Sequence, residues 1–173
     1  MSHIAVRHVE ASDYEAIAAI YATEAVIEQT TQIPYRTADF WKSFYNHASP
    51  SNVELVALRE SQVVGHLGIL LNTNIRRKHV ASFGIAVHPE HQKMGGGKAL
   101  MAEMINLCDN WMNILRLELA VYSDNLGAIH LYKTFGFVVE GEARFECFRK
   151  GRFAHSTKMA RFHPSFQSML AGG

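Results

Sequence analysis

The stretch Ile85-Ala86-Val87-His88-Pro89-Glu90-His91-Gln92-Lys93-Met94-Gly95-Gly96-Gly97-Lys98-Ala99-Leu100 decides how this chain is read. Ile85, Ala86 and Val87 close a short apolar run that predicts a buried strand. Pro89 ends it, Gly95-Gly96-Gly97 follows, and an amphipathic helix begins. The first-turn N–H groups of a helix have no helical partner and lie at the positive end of its dipole. Strand, glycine turn and helix start therefore make a pocket for an anion. Glycine lets the backbone approach that anion where a Cβ would intrude. A phosphate-bearing ligand is the expectation.

Two familiar phosphate motifs fail against these residues. A P-loop needs Ser or Thr after its lysine, but Lys98 is followed by Ala99 and the glycine spacing differs. The dinucleotide fingerprint needs a third glycine where this chain has Leu100. What fits is Gln92-x-x-Gly95-x-Gly97, joined downstream by Asn125-Leu126-Gly127-Ala128-Ile129-His130-Leu131-Tyr132-Lys133-Thr134-Phe135-Gly136-Phe137. Asn125 reads as a helix N-cap, Ala128, Ile129 and Tyr132 share one helical face, and Gly136 stops the helix before a new strand. Together the segments resemble the pyrophosphate-loop signature [QR]-x-x-G-x-[GA] and the second signature N-x-x-A-x-x-x-Y-x-x-x-G-F of the GNAT superfamily of N-acetyltransferases.

That resemblance covers nearly the whole chain and implies an α/β (α+β) fold. The expected architecture is one domain over residues 1–162, with helices flanking a mixed, mostly antiparallel sheet. Its central strands splay around the acyl-coenzyme A. Residues 163–173 are expected to form a mobile tail. Composition agrees with a globular protein: 173 residues, 48% hydrophobic and 19% charged. No apolar run approaches the roughly 20 residues that span a bilayer, and the N-terminus lacks a signal-peptide core. Cys108 and Cys147 lie far apart without metal-like spacing, which fits reduced thiols and a cytoplasmic location. A net charge of +1 gives no electrostatic reason to expect nucleic acid or anionic lipid as a partner. A homodimer is left open.

The coarse pattern is strand, helices, strands, then alternation. Ile4–Val9 reads as a strand, and Ser12 or Asp13 caps a helix from Tyr14 to Tyr21 with Ile17, Ile20 and Tyr21 inward. Thr30–Pro34 reads as a loop. A second helix, Thr37–His47, carries Phe40, Trp41, Phe44 and Tyr45. Val53–Leu58 and Val63–Leu71 form a hairpin, and His79–Val87 leads into the glycine loop. The helix from Gly97 to Trp111 buries Leu100, Met104, Leu107, Cys108 and Trp111. Leu115–Tyr122 is a strand, and Phe137–Phe148 with Arg152–Arg161 form a closing hairpin through Lys150-Gly151.

The chemistry implied by the resemblance is transfer of an acetyl group from acetyl-coenzyme A, as co-substrate and without a metal, to the primary amine of a small molecule. The amides of Lys93 through Lys98 would hold the pyrophosphate, with Gln92, Gly95 and Gly97 shaping the loop and Lys93 and Lys98 adding charge. The backbone of Ile85 and Val87 would pair with the pantetheine arm, and the Val87 N–H would stabilise the oxyanion. Asn125 would hold the arm or the strand, and Tyr132 would protonate the leaving thiolate. For the general base no acid stands in His79-Val80-Ala81-Ser82-Phe83-Gly84-Ile85, and the position five residues before Asn125 is Ala120. Glu118 is the best remaining carboxylate, with His66, His79 or a water chain as alternatives.

The acceptor half supplies Ile27, Ile33, Tyr35, Phe40, Trp41, Phe44, Phe145 and Phe148, with Arg144 and Arg149 close in sequence. An apolar pocket with one arginine suits a small free amino acid. The chain is also similar to bacterial acetyltransferases of free amino acids such as phenylalanine and methionine. Val64-Gly65-His66-Leu67, Cys108-Asp109-Asn110-Trp111, Arg116-Leu117-Glu118-Leu119 and Met159-Ala160-Arg161 carry that similarity. Polyamine or protein N-terminal acetylation, and a non-catalytic acetyl-coenzyme A module, are the alternatives.

Overall fold

The computed structural model describes residues 3–48 and 52–166, with the side chains of residues 45–48 outside that description. Seven strands and five α-helices are found there: β1 Ile4–His8, α1 Tyr14–Ala22, α2 Glu24–Gln29, α3 Ala38–Ala48, β2 Val53–Arg59, β3 Gln62–Leu71, β4 Val80–Val87, α4 Gly96–Asn110, β5 Arg116–Tyr122, α5 Leu126–Thr134, β6 Val138–Arg149 and β7 Arg152–Phe162. The chain divides into two compact units, residues 1–70 with 83–104, and residues 71–82 with 105–173. β4 and α4 each run from one unit into the other.

In the first unit the strand order is β1-β2-β3-β4. β1 pairs antiparallel with β2, and β2 with β3. The β2–β3 turn is tighter than expected, because Glu60 and Ser61 both adopt left-handed φ, 51° and 68°, as a two-residue primed hairpin turn requires. A bulge shifts the register between Ala57 and Leu58 and leaves Val64 as the extra residue. The Val64 carbonyl then accepts the His88 N–H at 2.9 Å, which pins the end of β4. One layer of core comprises Ile17, Ile20, Tyr21, Val26, Trp41, Val56 and Ala86. Ile17, Ile20 and Tyr21 face inward as their spacing predicts. Of the expected aromatic set on α3, Trp41 is buried, Phe44 is exposed, and the Tyr45 side chain lies outside the described residues. Neither Ser12 nor Asp13 caps α1 through its side chain. Asp13 instead accepts the Glu10 N–H and a two-pronged contact from Arg7, whose guanidinium holds the carboxyl below its ordinary range. The helix Glu24–Gln29 was not expected; it is too short for periodicity to reveal it.

In the second unit the order is β4-β5-β7-β6. β4 runs parallel to β5 through Val80, Ala81 and Ser82, and the remaining ladders are antiparallel, so the sheet is mixed as expected. The hairpin turn at Lys150-Gly151 is again left-handed at both residues. A second bulge in β6 holds Phe145 at φ 54°, its N–H donated to His155 Nδ1 at 2.9 Å. Arg161 and Asp109 form a two-pronged pair at 2.8 Å and 2.8 Å, with both side chains largely covered. Leaving either charge alone there costs about 3–5 kcal/mol. Trp111, expected on the buried stripe of α4, is 78% exposed. The helix ends at Asn110, so Trp111 falls outside its periodicity. At the start of the expected tail, His163 donates its N–H to Leu115 O at 2.8 Å and opens a 3-10 turn, Pro164–Phe166. Residues 167–173 lie outside the described residues.

Cys108 sits fully buried in α4. Burial pushes its thiol up to about 12; the neighbouring Asp109 adds to this and Arg161 opposes it. Only a thiolate attacks disulfide reagents. At pH 8 Cys108 is therefore expected to resist a soluble aromatic disulfide until the protein unfolds, while the half-buried Cys147 reacts in the native state. Reaction of both thiols at equal rates without denaturant would contradict this.

Candidate active site

In the first unit, β4 delivers Ile85 and Val87 and then gives way to the glycine loop. The chain passes a 3-10 turn at Pro89–His91 and turns back through Lys93 at φ 61° and Gly95 at φ 97°. Gly95 is the glycine whose conformation is demanding, since a side chain there would be strained. Gly96 is buried, and a Cβ there would meet Ala57 and Val64 at 3.8 Å and Val87 at 3.9 Å, ordinary packing distances. The first intrahelical bond of α4 runs from the Ala99 N–H to Gly95 O at 3.0 Å. The N–H groups before Ala99 therefore precede the helical ladder, at the positive end of the helix.

Gln92 bonds within the loop through its side chain. Its Nε2 donates to the Val87 carbonyl at 3.2 Å, so the side chain staples the loop to the strand end. Lys93 and Lys98 are exposed beside the start of α4.

In the second unit, Asn125 caps α5. Its side-chain oxygen accepts the Ala128 N–H at 3.1 Å, and Gly136 at φ 84° ends the segment after the helix. Tyr132, on the buried face of α5, lies with its ring centroid 5.9 Å from that of Phe137. Burial pushes its phenol up to about 12. It stays protonated at neutral pH, as a proton donor must.

Glu118, the expected base, is instead held by two guanidinium groups. Arg77 donates to one oxygen at 2.9 Å and Arg116 to the other at 3.0 Å. Arg116 also grips Glu140 through two nitrogens. Both carboxylate oxygens are thus occupied by guanidinium donors from two separate elements. Glu118 thus reads as a brace between β5 and the turn that carries Arg77. His79 is exposed and lines a cavity of about 330 Å³ with Asp109, Asn113, Leu115, His163 and Phe166, all in the second unit. His66 is fully buried in the first unit.

Among the acceptor residues, Ile33, Tyr35, Phe145 and Phe148 are exposed. Arg149 is committed to Asp124 and lies 4.2 Å over the Tyr122 ring. Sequence reasoning passed over Arg36, whose guanidinium sits 4.0 Å over Phe40 and whose Nε is buried without a hydrogen-bond partner among the described residues. It opens onto a groove of about 470 Å³ lined by Glu15, Ala18, Ala22 and Asp39. Sequence reasoning also passed over Glu54 as His66's partner. Glu54 stands out only as an acid inside an otherwise apolar run, Val53 to Leu58.

The model of the acetyltransferase (GNAT) family matches residues 14–137. The chain is 42% identical to the L-amino acid N-acetyltransferase AaaT of Escherichia coli over 93% of its own length and 99% of that protein. It is 27% identical to the spermidine N(1)-acetyltransferase of Vibrio cholerae, over 91% and 92% respectively. In structure it superposes with a TM-score of 0.87 on a phosphinothricin acetyltransferase of Sinorhizobium meliloti solved with acetyl-coenzyme A. That superposition covers 97% of this chain and 92% of the other at 21% identity. With the glycine turn, the cap and the buried tyrosine in place, the chain belongs to the acetyltransferase (GNAT) family and is an acetyl-coenzyme A-dependent N-acetyltransferase.

Proposed function

We propose that the acceptor is the α-amine of a small apolar or aromatic L-amino acid. The observation that carries this is the 42% identity to an L-amino acid N-acetyltransferase along almost the full length of both chains. The second reading, a polyamine acceptor, rests on the weaker 27% similarity to a spermidine acetyltransferase. The near-neutral charge of this chain, +1, gives a polycation little steering.

Bound acetyl-coenzyme A supplies the activated acetyl thioester, and the residues of the chain do the rest. The N–H groups from Lys93 to Lys98 and the start of the α4 dipole hold pyrophosphate, and Gly97 keeps that surface clear. Ile85 and Val87 offer backbone to the extended arm, with the Val87 N–H turned to the acetyl oxygen. Because Asn125 uses Oδ1 as a cap, its contact with a ligand falls to Nδ2. Tyr132 keeps a proton ready for the leaving sulfur. Arg149 being committed, Arg36 and Arg144 are the arginines of the acceptor half without an ion-pair partner among the described residues, and one of them reads the carboxylate.

Gly97 is the second residue of α4 and is half-exposed, so Gly97→Val is expected to keep the melting temperature within a few degrees yet lose acetyl-coenzyme A binding in calorimetry. Normal binding by the folded variant would contradict the pyrophosphate assignment.

Tyr132→Phe is expected to lower kcat by about 10²-fold with little change in acetyl-coenzyme A affinity. The sign of the pH effect follows from a phenol raised from 10 to about 12: in that window the folded chain keeps a proton that the unfolded one has lost. Stability therefore falls as pH rises through that window, and no ionisation of Tyr132 shapes the rate below about pH 10. An unchanged kcat in Tyr132→Phe, where chemistry limits the rate, removes the residue from the mechanism.

Phenylalanine is expected to be acetylated faster than spermidine and much faster than phenylalaninamide, since amidation removes the charge that a guanidinium reads. Either Arg36→Ala or Arg144→Ala should raise KM for phenylalanine without altering KM for acetyl-coenzyme A. Equal rates for acid and amide, or a faster reaction with spermidine, would return the polyamine or peptide reading.

A further inference from the structure

The first unit contains a buried chain of ionisable side chains centred on His66, one of the alternative bases named from the sequence. The Tyr14 hydroxyl donates to Glu54 Oε1 at 2.9 Å. Glu54 Oε2 lies 3.1 Å from His66 Nε2, and His66 Nδ1 lies 3.1 Å from the Tyr21 hydroxyl. His66 is 0% exposed, and Tyr21 and Glu54 are each 5% exposed. Three separate elements supply these residues: α1, β2 and β3. Tyr21 belongs to an apolar cluster with Ile17, Ile20, Val26, Val56 and Ala86 and is stacked on Trp41 at 4.0 Å. Asp13, which acts electrostatically on Tyr14, is paired with Arg7.

The order of groups sets the direction of the hydrogen bonds. A carboxylate at Nε2 fixes the imidazole proton there, so Nδ1 is the acceptor and Tyr21 is the donor. Carboxylate, imidazole and hydroxyl in that order is the arrangement by which enzymes draw a proton from a reacting group. Its position fits such a task. Ala86, between the two strand residues that would face the pantetheine arm, packs in the same cluster as Tyr21. The Trp41 indole N–H is also there, buried and without a partner among the described residues.

We propose that Tyr21, backed by His66 and Glu54, is the general base of the acetyl transfer, the role Glu118 does not fill. Tyr21 is the catalytic residue, and His66 and Glu54 are positioning residues that act through it. As the acceptor nitrogen bonds to the acetyl carbon, its proton passes to the Tyr21 oxygen while the Tyr21 proton moves to His66 Nδ1. The imidazolium so formed is balanced by the Glu54 carboxylate. The carbon–sulfur bond breaks and the sulfur takes its proton from Tyr132; His66 then returns its proton to the Tyr21 oxygen as Tyr21 releases the one taken from nitrogen to solvent, and solvent restores that of Tyr132. The inference rests on acetyl transfer but not on which amine is the acceptor.

The test uses the faster of phenylalanine and spermidine, so that failure of the amino-acid reading leaves it intact. Tyr21→Phe keeps the ring on Trp41 and removes only the hydroxyl. The expected result is a fall in kcat of about 10²-fold, with acetyl-coenzyme A affinity and acceptor KM held. The wild-type loss of rate at low pH, where a protonated His66 cannot accept, should disappear. In Glu54→Gln that limb should move to lower pH, because the imidazolium loses its counter-charge. On the ligand-free protein, nitrogen-15 NMR of His66 should show Nε2–H in the wild type and a mixture of tautomers in Glu54→Gln. A packing role predicts lower melting temperatures with an unmoved pH limb, and that outcome overturns the proposal. So does an unchanged kcat in Tyr21→Phe. If Tyr21→Phe does not fold, the limb and tautomer in Glu54→Gln decide alone. An Nδ1–H tautomer in the wild type also overturns it.

Discussion

The first unit depends on position 65 having no side chain. A Cβ on Gly65 would stand 3.2 Å from Leu100 Cδ1 and 3.3 Å from both the Ala86 carbonyl and Val87 Cγ2. These contacts are tighter than packed atoms tolerate without movement, and two of the three neighbours belong to β4. Leu100 is fully buried one turn into α4. The absent methyl lets that first turn settle over β3 and β4, and the position of the first N–H groups of α4 follows. The bulge at Val64 acts on the same spot from the other side. It turns a carbonyl toward His88 and fixes where β4 stops. Gln92 then ties the loop back to Val87. Three local features, a glycine, a bulge and a side-chain staple, thus set the geometry of one turn of backbone.

Much of this was legible because local chemistry carried it. A strand that meets Pro89 and three glycines can do little else but turn, and Asn125, Ala128, Tyr132 and Gly136 each perform at their positions the task their type suggests. The inward triplet Ile17, Ile20 and Tyr21 follows from helical spacing alone. What escaped depended on distant partners. Glu118 reads as a candidate base until Arg77 and Arg116 are seen on its two oxygens, and Arg77 lies 41 residues away in the chain. Gln92 bonds the strand end, which no pattern of types reveals. Trp111 was misassigned because periodicity cannot say within a turn where a helix ends.

The arginines show the same division. Arg7, Arg77, Arg116, Arg149 and Arg161 are each tied to a carboxylate that pattern reading had no means to pair with them. The exposed pairs among them add little stability. Their larger effect is to remove five guanidinium groups from the set that could read a substrate carboxylate. Arg36 was overlooked because it falls in an irregular stretch with no motif, yet its stack on Phe40 and its unpartnered Nε make it stand apart in three dimensions.

In the mechanism we propose, two tyrosines with different surroundings carry the two proton transfers. Tyr132 is buried beside Phe137, and desolvation raises its phenol, so it holds its proton tightly. Tyr21 faces an imidazole that itself faces a carboxylate, so its proton has somewhere to go. An amine attacking a thioester must lose a proton, and a thiolate leaving it gains one. A single group of fixed character serves one of those transfers well and the other badly. Separating them onto α1 and α5 lets each environment be tuned without compromising the other. This accounts for a chain with no carboxylate on β4: a base built from α1, β2 and β3 makes one there unnecessary.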